Sequence, residues 1–127
     1  MAQGPDGGLA AARIEAVRDE AVRVAEDLRA ELAAIGESTE ARPDDEHDAE
    51  GSTVGYERAR VAALLAVAET SLRQLDDALG RLREGDYGRC TRCGGEIAPE
   101  RLRALPGAAY CAACARTPAR PPWRRRR

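Results

Sequence analysis

VAALLAVAETSLRQLDDALGRL, residues 61–82, sets Val61, Leu65, Ala68, Leu72, Leu75, Leu79 and Leu82 at alternating steps of four and three. This is a heptad seam, the spacing that holds one face of a helix against a partner helix over many turns. No Pro interrupts it, and most of the remaining positions are small or polar. The spacing predicts a helix from about Tyr56 to Arg83 with one apolar face, which it cannot bury alone.

The partner lies upstream. From Leu9 to about Ile35 the chain has no Pro and no internal Gly, and Ile14, Val17, Ala21, Val24, Leu28 and Ile35 recur at helical spacing. Gly36 is a natural stop. Two helices of similar length, each with an apolar stripe, pack most economically as an antiparallel hairpin with coiled-coil contacts. The fold class expected is therefore mostly α. A hairpin spans 9–83 with a tip loop at 36–55, preceded by a flexible Gly-rich leader at 1–8.

Composition explains why the hairpin needs help. The chain has 127 residues, of which 26 are Ala, only 20 are Leu, Ile or Val, and none is Phe. Abundant Ala favours helix, but large aliphatics this sparse make a thin core. Charge is uneven: residues 1–50 hold 14 acids against 5 Arg, and residues 51–127 hold 8 acids against 15 Arg. The acids concentrate at the tip, where Asp44, Asp45, Glu46, Asp48 and Glu50 cluster around the single histidine, His47. No apolar run nears the ~18 residues of a membrane span. The start of the chain lacks the basic-then-apolar order of a secretory signal, so the cytoplasm is the expected compartment. No catalytic base, nucleophile or phosphate-cradling Gly loop stands out, and the chain is not expected to be an enzyme.

The four cysteines supply the missing stability. Cys90-x2-Cys93 and Cys111-x2-Cys114 are separated by 17 residues, a pattern that suits a tetrahedral Zn2+ held by four thiolates. A closed four-sulfur shell leaves no position for water or substrate, so one structural zinc is expected, worth roughly 10–16 kcal/mol in small domains. Two disulfides or a redox Cys-x-x-Cys would need a secretory signal or a strand-helix context that is absent here. The zinc-finger module is expected at 84–116, and a disordered Pro/Arg tail at 117–127 ends in Trp123 and Arg124 to Arg127.

The helical hairpin, its acidic tip, Tyr87-Gly88-Arg89-Cys90-Thr91-Arg92-Cys93-Gly94, Ile97, Arg101-Leu102, Pro106 and Cys111-Ala112-Ala113-Cys114 together resemble the DksA/TraR-type zinc-finger proteins of bacteria, over roughly residues 10–116. The resemblance implies a transcription regulator that binds RNA polymerase rather than a specific DNA sequence. Its coiled coil would enter the secondary channel and bring acidic tip residues near the catalytic Mg2+. The family's tip motif, Asp-x-x-Asp-x-Ala, is matched at Asp45 and Asp48, with Ala49 one residue early and Glu50 at the Ala position. The family's basic positions for the alarmone ppGpp fall on Gln74, Leu105 and Ala115, none of them basic, so ppGpp dependence is not supported. The alternative is a zinc-ribbon adaptor or nucleic-acid binder working through the basic C-terminal half.

Overall fold

A computed structural model of the chain describes residues 5–40 and 48–118. Four helices follow in order: α1 (Pro5–Glu40), α2 (Asp48–Glu84), α3 (Pro99–Ala104) and α4 (Ala112–Arg116). Among the described residues there is no β-strand, only an isolated antiparallel bridge between Arg89 and Glu96. The chain divides into two compact units. One comprises Glu15–Leu75, and the other joins the described residues up to Ile14 with those from Asp76 onward.

The Glu15–Leu75 unit is the helical hairpin. Arg29 pairs with Glu69 at 3.1 Å and Arg60 approaches Glu31 at 3.7 Å. As residue numbers rise along α1 they fall along α2, so the helices run antiparallel. These ion pairs are exposed and add little stability, so the seam carries the packing. On α2 the heptad reads as expected: Val61, Ala68 and Leu75 are buried, and Leu65, Leu72, Leu79 and Leu82 are half-buried.

On α1 the expected stripe needs correction. Val17 and Val24 are exposed at 40% and 41%, while Ala25 is fully buried. The inward positions are Ile14, Arg18, Ala21, Ala25, Leu28, Leu32 and Ile35, all buried or half-buried. They keep the same four-three rhythm as α2, and a small Ala at position 25 allows the two backbones to approach closely.

Both helices also outrun their expected bounds. α1 begins at Pro5 rather than Leu9 and continues past Gly36 to Glu40, and α2 begins at Asp48 rather than near Tyr56. The expected loop at 36–55 and leader at 1–8 are therefore largely helical where described. Proline suits the first turn of a helix because its missing N–H has no partner there anyway. Acids such as Asp48 and Glu50 are favoured at a helix N-terminus by the dipole. A glycine inside a helix costs only about 1 kcal/mol. At Gly36 the side chain of Arg58 from α2 lies alongside, 3.9 Å from where a Cβ would stand.

α2 stops at a Schellman turn. Asp86 N–H reaches the Arg81 carbonyl at 2.8 Å, Gly85 N–H reaches the Leu82 carbonyl at 3.2 Å, and Gly85 takes φ +85°. A left-handed residue at this position favours glycine, so Gly85 marks where helix ends and zinc module begins.

Candidate metal centre

The first knuckle grows from a short ribbon. Ile97 N–H donates to the Gly88 carbonyl at 2.8 Å and Cys90 N–H to the Gly95 carbonyl at 2.7 Å, with the Arg89–Glu96 bridge between. Gly94 closes the turn with φ +79°, its N–H on the Cys90 carbonyl at 2.9 Å. The second knuckle is the start of α4: Cys111 is its N-cap, and its Sγ accepts from Cys114 N–H at 3.5 Å. Beneath them lie buried Ile97 and Pro106, and Tyr87 O–H donates to the Pro106 carbonyl at 2.8 Å.

These two turns bring Cys90, Cys93, Cys111 and Cys114 together, with their sulfurs all within 4.8 Å of one another. Cys93 and Cys111 Sγ stand 3.9 Å apart, and all four cysteines are free. Around a tetrahedral zinc with Zn–S of about 2.3 Å the sulfurs would be about 3.8 Å apart, so the observed cluster fits the ion. Backbone N–H groups already point at the sulfurs: those of Arg92 and Cys93 at Cys90, and that of Gly95 at Cys93. Such donors favour thiolate over thiol.

The protonation of the metal-free cluster follows from these donors. The Cys93 backbone N–H, more than the opposing effect of burial, holds the Cys90 thiol down at about 6. Cys111 is lowered by the Cys114 backbone N–H. Cys114 is pushed up to about 12, chiefly because its S–H is held by Cys111 and secondarily by burial. Zinc needs all four as thiolates, so protons compete with it and affinity falls as the pH is lowered. At neutral pH Cys90 is already ionised, whereas Cys114 must release a proton. Below about 6 Cys90 binds a proton as well. Chelator competition is therefore expected to show zinc affinity decreasing from pH 7.5 downward and decreasing more steeply below pH ~6. An affinity independent of pH across that range would contradict the four-thiolate site.

Of the acidic tip, Asp44, Asp45, Glu46 and His47 lie outside the described residues. Asp48 and Glu50 fall in the first turn of α2, with their side chains outside the description. Trp123 and the terminal arginines also lie outside it. Gln74, Leu105 and Ala115 are all exposed. Among the described residues no helix is long and apolar enough to cross a membrane.

The sequence reading missed the arginines that hold the module together. Arg92 donates to the Cys114 and Thr117 carbonyls, Arg101 to the Tyr110 carbonyl at 2.9 Å and Arg81 to the Ala108 carbonyl at 3.2 Å. Every partner is a backbone oxygen, which no sequence motif announces.

The site is a closed C4 zinc centre, on a chain whose other unit is a helical hairpin. Residues 85–118 match the model of the prokaryotic dksA/traR C4-type zinc finger. An uncharacterized protein of Aquifex aeolicus (strain VF5) is 51% identical over 45 residues, which are 35% of this chain and 31% of that protein. The match thus spans about a third of that relative. Among solved structures, transcription factor DksA2 from Pseudomonas aeruginosa is similar over 90% of this chain and 88% of its own, with 26% identity and a TM-score of 0.50.

Proposed function

We propose that the chain is a cytoplasmic transcription regulator that binds RNA polymerase, with its hairpin in the secondary channel and its acidic tip near the catalytic Mg2+. The observation that carries this is the likeness to a solved transcription factor over 90% of the chain, which takes in the helical hairpin as well as the zinc finger. Structural zinc fits the role: a four-thiolate shell has no open position for catalysis, so the metal shapes a surface. The module's own charge does not favour nucleic acid, although residues 119–127 carry five further Arg. Residues 85–118 hold five Arg against three acids, and zinc with four thiolates adds two negative charges, leaving the module neutral. Phosphate binding depends on net cationic contacts. Gln74, Leu105 and Ala115 stand at the alarmone positions and none is basic, so this reading does not include ppGpp dependence.

Within this proposal the tip regulates and the rest of the chain binds. Two carboxylates beside a bound Mg2+ perturb its local field far more than they add to a large protein interface. Asp45→Asn combined with Asp48→Asn is therefore expected to leave affinity for core polymerase within about threefold, a change under 1 kcal/mol, while abolishing the effect on transcription in vitro. If the double variant regulates like wild type, the tip has no regulatory role.

A further inference from the structure

We propose that Arg92 is a positioning residue for the zinc ion, locking the two cysteine knuckles in register by bridging from the first to the carbonyl end of the second. Arg92 stands between two of the ligands, Cys90 and Cys93. Its Nη1 donates to the Cys114 carbonyl at 2.8 Å and to the Thr117 carbonyl at 3.0 Å, and its guanidinium lies 4.7 Å from the centre of the Tyr110 ring. Tyr110 directly precedes Cys111, and Cys114 is itself a ligand, so one side chain on the first knuckle grips the second at both of its ends.

The chemistry suits arginine. The Cys114 carbonyl takes a single backbone bond, from the Thr117 N–H at 3.1 Å, and the end of α4 carries the negative end of its dipole, where a cation is favoured. Hydrogen bonds from a charged donor are about twice as strong as neutral ones. A planar guanidinium can serve two acceptors edge-on while resting on an aromatic ring, which a lysine ammonium cannot reproduce. The positive charge also sits beside a cluster that becomes doubly negative once zinc is bound. The Cys90 sulfur accepts the backbone N–H of Arg92 itself at 3.4 Å, so moving this residue moves a donor to the ligand. The inference concerns the metal centre alone and stands whether or not the chain binds polymerase.

Groups that orient metal ligands are typically worth 10–100-fold in affinity. Arg92→Gln is therefore expected to weaken zinc binding 10–100-fold in competition with a chromogenic chelator, and Arg92→Lys to recover part of the loss. Tyr110→Leu, which keeps the hydrogen bonds but removes the ring, should fall between Arg92→Gln and wild type. Co2+ substitution provides the readout of the site itself. Each variant should still show the absorption of a tetrahedral tetrathiolate when saturated, with the loss confined to affinity and release rate. Thr91→Val is the control, since Thr91 Oγ1 donates across the same two segments to the Ala109 carbonyl at 3.1 Å without touching a ligand residue. The proposal is overturned if Arg92→Gln holds zinc as tightly as wild type, or if Thr91→Val weakens it equally, which would reduce Arg92 to one of several generic staples.

Discussion

Cys111→Ser is expected to empty the metal centre and cost the zinc module more than about 4 kcal/mol, placing it among the few single substitutions with so large an effect. Three thiolates bind zinc far less tightly than four, and for a module this small the metal's binding energy is folding energy. The buried side chains there are few: Cys90, Ile97 and Pro106. Serine makes the test selective. Cys111 also caps α4 through its sulfur, and a serine hydroxyl is a good N-cap, so the helix start survives while the ligand is lost. Purified Cys111→Ser should carry less than one zinc per chain and be cut readily by protease within residues 84–118. The Glu15–Leu75 unit, which contains no cysteine, should keep its helicity. A variant retaining full zinc and protease resistance would contradict the closed four-thiolate shell.

The second large effect lies in the hairpin. Val61 is fully buried, whereas Val67, less than two turns further along the same helix, is 64% exposed. Val61→Asp places an unpaired charge in the seam, at roughly 3–5 kcal/mol, and removes about 2 kcal/mol of apolar burial. Val67→Asp puts the same charge into water and should stay within about 0.5 kcal/mol of wild type. Urea denaturation followed by helical circular dichroism would separate them. Val61→Asp should unfold the hairpin in dilute buffer or nearly so, and Val67→Asp should track wild type. Equal midpoints would mean that the four-three seam does not carry the packing.

The two helices differ in how openly they declare themselves. In α2 the seam is written in Leu and Val at heptad positions, and every one of those residues turns inward. In α1 the same rhythm passes through Arg18 and Ala25, which no hydrophobicity criterion selects, while Val17 and Val24 lie just beside the seam and attract attention. With 26 alanines in the chain, a buried Ala cannot be told from an exposed one by composition; only the partner helix decides. The helix ends were hidden for a related reason. Gly36 reads as a stop, yet pairing with α2 supports the helix past it to Glu40. The four zinc ligands were plain from spacing, because two Cys-x2-Cys pairs at this separation suit a four-thiolate zinc site. Arg92 was not, because Arg is common here and its partners are carbonyl oxygens that the fold, not the order of residues, brings near.

The central claim is that the chain acts on RNA polymerase itself. The most direct measurement is binding of the purified zinc-loaded chain to core RNA polymerase without DNA, followed by fluorescence anisotropy of the labelled chain, with naked duplex DNA as the parallel titrant. The account predicts saturable binding of one chain per core enzyme and none to the duplex at the same salt concentration. Binding to duplex that weakens steeply with added salt, with no binding to core polymerase, would contradict it and place the chain among nucleic-acid-binding zinc ribbons instead.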